Sequence, residues 1–372
     1  MTEKKIHIVS FDVPFPADYG GAIDVFYRIK SLHHLGYKIT LHCFEYGRGE
    51  HKQLEEITEQ VHYYSRKKTL LNFFNKRPFI VASRRSKKLL KRLLEDENPI
   101  LFEGLHTTWF LEHPSIQKRL TFVRTHNIEH DYYAGLAEKS NAFKRYYFQQ
   151  ESKKLTRYET ILSKTNHVLC IRKGDVEHFK KYNPHTHILP ASTPPIKQTV
   201  FHKTDEYALF HGNLSVAENS DAVKWIIHTI WKEENKLIPL KIAGKNPSQE
   251  LINLTKSKGI ELIENPSDEE LHTLLIKANV HVLYSDQSTG VKLKLLAALQ
   301  TSGHILVNPI IVEGTNLGEM CTICHSSEEF MSQLQFLADK KLDLDAFNKR
   351  QAFLMTHYST EKNCLIFDDL IR

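Results

Sequence analysis

Ala278-Asn279-Val280-His281-Val282-Leu283-Tyr284, followed by Ser285-Asp286-Gln287-Ser288-Thr289-Gly290-Val291-Lys292-Leu293-Lys294-Leu295-Leu296-Ala297-Ala298-Leu299-Gln300, decides the fold. The first seven residues are a mostly apolar run of the length and composition of a buried strand. The polar stretch around Gly290 reads as a turn, and Val291, Leu295, Leu296 and Leu299 recur as the inward face of a helix. In a doubly wound sheet such a junction lies at the carboxyl end of a strand, where ligands bind. The helix start there offers free N–H groups and a positive dipole end to an anion. Lys292 and Lys294 fall in the first turns and would add full charges to a phosphate site. The same spacing also fits solvated lysines on an amphipathic helix.

Working outward, the pattern repeats. Near the amino terminus, Ile6-His-Ile-Val-Ser-Phe reads as a strand, the Pro- and Gly-rich stretch from Asp12 ends at Gly20-Gly21, and Ile23, Phe26, Ile29, Leu32 and Leu35 recur at helical spacing up to Gly36. Lys38 to Phe44 supplies the next strand, so the unit is strand, helix, strand and the sheet is parallel. The glycines do not form the dinucleotide fingerprint. Two adjacent glycines at a helix start let a ligand approach the backbone, and a tight turn needs glycine as well.

Strands from Pro99 and from Thr121 follow, the first ending at Glu103-Gly104 with His106 beyond it, the second running into the polar, aromatic cluster His126-Asn127-Ile128-Glu129-His130. A long helix over about 140–163 and a strand from His167 close the first half. Pro190, Pro194 and Pro195 mark a change of domain. The second half begins again with Tyr207-Ala-Leu-Phe-His-Gly-Asn, then Leu240-Lys-Ile-Ala-Gly-Lys, and repeats the first architecture without any short repeat. At 372 residues the chain suits two domains. The expected boundaries are 1–190, 191–350 and a carboxyl-terminal helix, 351–372, returning to the first domain.

The composition, 41% apolar and 25% charged, is that of an ordinary globular protein. No apolar stretch approaches 18 residues, the chain starts straight into a strand, and five scattered cysteines suit a reducing compartment, so a cytoplasmic protein is expected. Cys321-x-x-Cys324 has no second pair at metal spacing, and Asp343-Leu-Asp345 precedes a helix and reads as a cap, so no metal site is expected. From Arg66 to Leu94 there are eleven Lys or Arg and no acid. Taking those eleven from the net +6 leaves −5. Interleaved with Leu and Phe, residues 66–94 suit an anionic membrane surface, on the inner face of the plasma membrane. A solvated helix face fits too. No nucleic-acid motif accompanies the charge, so nucleic acid is not expected.

Taken together, Pro16-Ala-Asp-Tyr-Gly-Gly, Arg124-Thr-His-Asn-Ile-Glu-His, Phe210-His-Gly-Asn with Asn219, Ile242-Ala-Gly-Lys and Thr289-Gly-Val-Lys-Leu-Lys-Leu-Leu resemble a retaining GT-B glycosyltransferase of the family-four kind, over nearly the whole chain. The resemblance implies an α/β protein with two Rossmann-like domains facing each other across a cleft. It also implies transfer of a hexose, mannose being one candidate, from a UDP- or GDP-linked sugar to a polysaccharide or lipid-linked glycan. The nucleotide sugar is then a substrate and no cofactor is needed.

Carried over, the resemblance implies that Gly20, Gly21, Gly212, Asn213, Asn219, Gly244, Lys245, Thr289, Gly290, Lys292 and Lys294 bind the donor. His126, Glu129 and Lys292 would serve the chemistry, and His106 and Asn127 the acceptor. The family's paired glutamates fall here on Thr289 and Ala297, neither a carboxylate. Glu313 is the candidate replacement for the ribose contact, and a noncatalytic GT-B protein or a sugar-nucleotide epimerase are the alternative readings.

Overall fold

The computed structural model describes residues 3–138, 140–195, 200–232, 237–286 and 293–371. The chain divides into two compact units, Met1–Pro195 with Tyr358–Arg372, and Ile196–His357. The first unit therefore runs five residues past the expected boundary at 190, and residues 351–357 stay with the second.

Among the described residues the first unit carries a seven-stranded sheet in the order β3-β2-β1-β4-β5-β6-β7. Its strands are β1 (Lys5–Ser10), β2 (Lys38–Glu45), β3 (Gln60–Ser65), β4 (Ile100–Glu103), β5 (Thr121–Thr125), β6 (His167–Cys170) and β7 (Thr186–Ile188). All neighbours pair parallel. Both faces are covered by apolar clusters, one around Val9, Phe44, Phe102 and Leu162, the other around Ile8, Ile29, Leu101 and Phe122. Burial on both sides is why these strands read as apolar runs. The order reverses between β1 and β4, so the loops leaving these two strands diverge at their carboxyl ends.

The second unit repeats the scheme with six parallel strands in the order β10-β9-β8-β11-β12-β13. They are β8 (Asp205–Asn213), β9 (Leu240–Lys245), β10 (Glu261–Glu264), β11 (Ala278–Leu283), β12 (His304–Val307) and β13 (Thr322–Ile323). Here the reversal falls between β8 and β11. The helix Leu293–Leu299 buries Leu295, Leu296 and Leu299, as its spacing requires; Val291 lies outside the described residues. The last helix, Thr360–Ile371, packs on the first unit. Asp368 accepts hydrogen bonds from Lys4 Nζ at 2.8 Å and the Tyr37 hydroxyl at 2.5 Å, and Phe367 sets its edge on Phe122 at 4.9 Å.

Residues 66–94 form short helices at Leu70–Phe73, Phe79–Ala82 and Lys87–Leu93. Ile80, Val81, Leu89 and Leu93 lie in the core, and Arg84 is buried, its guanidinium donating to the carbonyls of Phe11 and Ile80. These apolar residues are occupied by the protein itself. In the helix Gly20–His34 the expected apolar residues Phe26, Ile29, Leu32 and Leu35 do pack on the core, and the buried face also takes in Asp24, Val25 and Arg28. Two charged residues hold core positions there, for the reason given by their partners below. Asp343 caps the helix Leu344–His357, accepting from the N–H groups of Asp345 and Ala346. Among the described residues no helix is long and apolar enough to cross a membrane.

Candidate functional site

In the first unit, a closed set of charges sits where β1, β4 and β5 end. Arg124, on β5, donates from Nε to Asp24 Oδ2 at 3.0 Å and from Nη1 to the Leu189 carbonyl at 2.6 Å. Arg28 bridges Asp24 and Glu103, the latter at 3.1 Å. Burial alone would push the Asp24 carboxyl up, but the Arg124 and Arg28 guanidiniums outweigh it and hold it at about 2. Glu103 is held low by the same balance, with Arg28 and His126 as its partners. Two carboxylates facing two guanidiniums make the cluster neutral, which is how it survives burial.

His126 is the member of this group that reaches the surface. Its Nε2 lies 2.9 Å from Glu103 Oε2 and its Nδ1 3.6 Å from Asp24 Oδ2, while its side chain keeps 11% exposure. Phe11, leaving β1, stands between it and His106, with ring centroids 5.2 and 5.3 Å away. Gly21 is required against this ring, since a Cβ there would lie 2.8 Å from Phe11 Cζ. Gly20 opens the same helix and is exposed, and Asn127 is half-buried. Burial, and next the Arg84 charge, keep His106 neutral, its pKa well below the usual range. Glu129 is buried, and desolvation, reinforced by Glu159, raises its carboxyl to about 8. The structure thus gathers His126, His106 and Phe11, with Glu129 one helical step beyond.

In the second unit, Lys294 does not face solvent. Its Nζ donates to Asn219 Oδ1 at 2.9 Å and to the Tyr284 carbonyl at 3.4 Å, and it lies 5.0 Å from the centre of the Phe210 ring. Asn219 in turn donates to the Asn213 carbonyl at 2.9 Å. The ammonium is therefore fixed against the ends of β8 and β11, at the reversal of strand order. Gly244 belongs beside it for packing: a Cβ there would come within 2.1 Å of the Gly212 carbonyl oxygen. Lys245 is exposed, and Glu313, also exposed, ends the short helix Pro309–Val312. Thr289, Gly290 and Lys292 lie outside the described residues.

Sequence reading missed several residues here. Ser285 donates from Oγ to Glu218 Oε1 at 2.6 Å, and the Asn308 amide clasps the Ser285 backbone through bonds of 2.6 and 3.2 Å. A signal existed for Asn308, a polar residue between an apolar strand and Pro309. None existed for Glu218, which reads as an ordinary first-turn acid. His211, on β8, is buried with neither ring nitrogen bonded among the described residues.

Desolvation, and next the charge of Lys294, lower the His211 pKa to about 3. The unfolded chain takes up this proton near pH 6.5 while the folded one does not, so stability is complete above 6.5 and falls as pH drops toward 3. Between pH 6.5 and 5.5 the loss expected from His211 alone is about 1 kcal/mol. Urea unfolding of parent and His211→Phe at both pH values checks this. Equal pH slopes for the two would reject it.

With both sites in view, the fold is the GT-B kind, α/β with two Rossmann-like domains. No protein-family model matches the chain. A solved structure of S. aureus TarM in complex with Fondaparinux, alpha-GlcNAc-glycerol and UDP is similar at a TM-score of 0.69 and 10% identity, over 99% of this chain and 100% of that one. Sucrose-phosphate synthase from Thermosynechococcus elongatus is similar at 0.68 and 13%, over 99% and 98%. Anabaena HepE in complex with UDP and glucose is similar at 0.63 and 10%, over 98% of each. In sequence, the chain is 28% identical over 386 residues to an uncharacterized 44.6 kDa protein in the cps region of Klebsiella pneumoniae, covering 96% of this chain and 97% of that one.

Proposed function

We propose that the chain is a glycosyltransferase that moves a hexose from a UDP- or GDP-linked donor to a glycan or lipid-linked acceptor, with retention and without a catalytic metal. The observation that carries this reading is Lys294, a cation anchored at the carboxyl end of β8 and β11, where a doubly wound sheet receives an anionic ligand. In this reading Lys294, with Lys292, Thr289 and Gly290 just before it in sequence, neutralises the departing diphosphate. Gly212, Asn213, Asn219, Gly244 and Lys245 line the donor side, and Gly20 and Gly21 receive its diphosphate end. The C–O bond from the sugar's anomeric carbon to phosphate breaks as the acceptor oxygen attacks the same face. The departing phosphate oxygen takes the acceptor's proton.

His126 hydrogen-bonds the transferred sugar, with Glu129, His106 and Asn127 on the acceptor side. Glu218, already drawn to Ser285, joins Glu313 as a candidate for the ribose contact that Ala297 cannot make. The exposed basic residues Lys67, Lys68, Lys76, Arg85, Lys87, Lys88 and Lys91, with Phe74 at 87% exposure, support contact with an anionic bilayer, at about 1 kcal/mol per charge.

Thermal stability and donor hydrolysis against a panel of UDP- and GDP-sugars test the assignment. One or more donors should stabilise the protein and be turned over. His126→Ala and His126→Gln should both lower the maximal rate by about a hundredfold, the scale of a lost positioned polar group. His126→Gln keeps a donor toward Glu103 and should melt near the parent. Binding without turnover would favour a noncatalytic protein, and near-normal turnover in both variants would reject the role of His126.

A further inference from the structure

Beside Glu129, at the start of its helix, three residues from three separate elements meet at one point. His130 lies on the helix Glu129–Glu138, Glu159 opens the 3-10 turn Glu159–Lys164, and His178 lies on the helix Lys173–Lys180. His130 Nδ1 is 2.8 Å from Glu159 Oε1, and His178 Nε2 is 2.8 Å from Glu159 Oε2. All three ligand atoms fall within 4.8 Å of one another. We propose that His130, Glu159 and His178 form a zinc-type metal site that clamps these three segments of the first unit, with a fourth position left to water.

The donor set fits: two imidazole nitrogens and one carboxylate oxygen are borderline ligands of the kind that hold zinc in three-ligand sites. Zinc–ligand bonds of about 2.0–2.1 Å in a tetrahedron place ligand atoms roughly 3.3 Å apart. The two histidine–carboxylate distances of 2.8 Å must open by about half an ångström, and the widest of the three separations, within 4.8 Å, must close toward the same edge, both by side-chain rotation. The two rings can move and an ion can enter, because His130 keeps 18% and His178 19% exposure. The Glu159 carboxylate has none, and its ion-pair partners among the described residues are the two histidines. A divalent cation held by the three side chains would supply a countercharge to a carboxylate that has no exposure.

The surroundings also suit a metal. A ligating histidine usually gives its far nitrogen to a carboxylate, and His130 Nε2 lies 3.3 Å from Asp131 Oδ1. The His178 ring is held by edge contacts with Phe179 and Tyr182, at 4.9 and 5.8 Å between centroids. The three ligands are 29 and 19 residues apart in sequence. A metal joining them closes two long loops and stabilises the fold by mass action.

The test uses untagged full-length protein stripped with chelator, titrated with Zn2+ and separately with Co2+. One zinc per chain should bind, the melting temperature should rise with zinc concentration, and Co2+ should give the visible absorption of a four-coordinate site. His178→Gln and Glu159→Gln should weaken zinc binding by about a hundredfold or more, and Asp131→Asn by roughly tenfold. His178→Gln retains a hydrogen bond to Glu159, so it separates a lost ligand from a lost fold. Zinc bound equally by parent and His178→Gln would place the ion on surface histidines and overturn the proposal. So would a stripped protein that takes up no zinc, which would leave the cluster as side-chain hydrogen bonds on a buried carboxylate.

Discussion

Lys294→Ala should lower turnover of the nucleotide-sugar donor by two to three orders of magnitude, about 2.7–4 kcal/mol of barrier, as losing one preorganised electrostatic donor does. The expectation rests on how the ammonium is held. Asn219, the Tyr284 carbonyl and the Phe210 ring fix it at 2.9, 3.4 and 5.0 Å, so it needs no reorganisation when charge develops on the leaving diphosphate. A lysine serving only to pack Asn219 would give a different result. Its removal would then lower stability with little effect on donor kinetics. The measurement is initial rate at limiting and saturating donor, with a melting curve for each variant. Lys292→Ala belongs in the same series, since it lies two residues before Lys294 in sequence. Unchanged kinetics in Lys294→Ala at both donor levels would sink the assignment.

The strands and their parallel, two-domain arrangement were legible because they depend on local pattern, whereas the strand order of each sheet was not read from it. Both sheets are buried on both faces, so β8, β11 and β12 appear as short apolar runs, and the glycines and prolines after them punctuate the chain. The position of Lys294 was legible for the same reason, though not its direction: turning it inward takes Asn219, 75 residues earlier. The buried charges were not legible. Asp24 and Arg28 stand at the spacing of an ordinary exposed helical pair, and only Glu103 and Arg124, brought in by β4 and β5, make burial tolerable. In the basic segment the Leu and Ile residues do recur among cations, but Pro78 and the turns around it break the run, and the pieces Phe79–Ala82 and Lys87–Leu93 turn Ile80, Val81, Leu89 and Leu93 into the core. His130, Glu159 and His178 carry no spacing signal at all, because each comes from a different element.

Arg124→Ala should destabilise the first unit by about 3–5 kcal/mol, the cost of leaving a buried charge without its partner. Arg124 is fully buried and donates to both carboxylate oxygens of Asp24. It also holds the carbonyls of Leu189 and Pro190 at 2.6 and 3.1 Å. Without it, Asp24 keeps Arg28, already shared with Glu103, and the backbone N–H of Ser192. The folded-state pKa of Asp24, about 2, lies below its ordinary value near 4, so the stabilisation is present above pH 4 and is lost as pH falls through 2. Arg124→Ala should therefore lower stability at neutral pH and flatten the acid limb of the stability curve. A double-mutant cycle makes the test specific: Asp24→Asn with Arg124→Ala should cost less than the two single changes added, because neither charge is then left alone. Calorimetry of the four proteins from pH 7 to pH 3 reads both effects. Additive losses with parallel pH profiles would mean that Arg124 acts through its carbonyl bonds alone, and would remove the charge cluster as the element that positions His126.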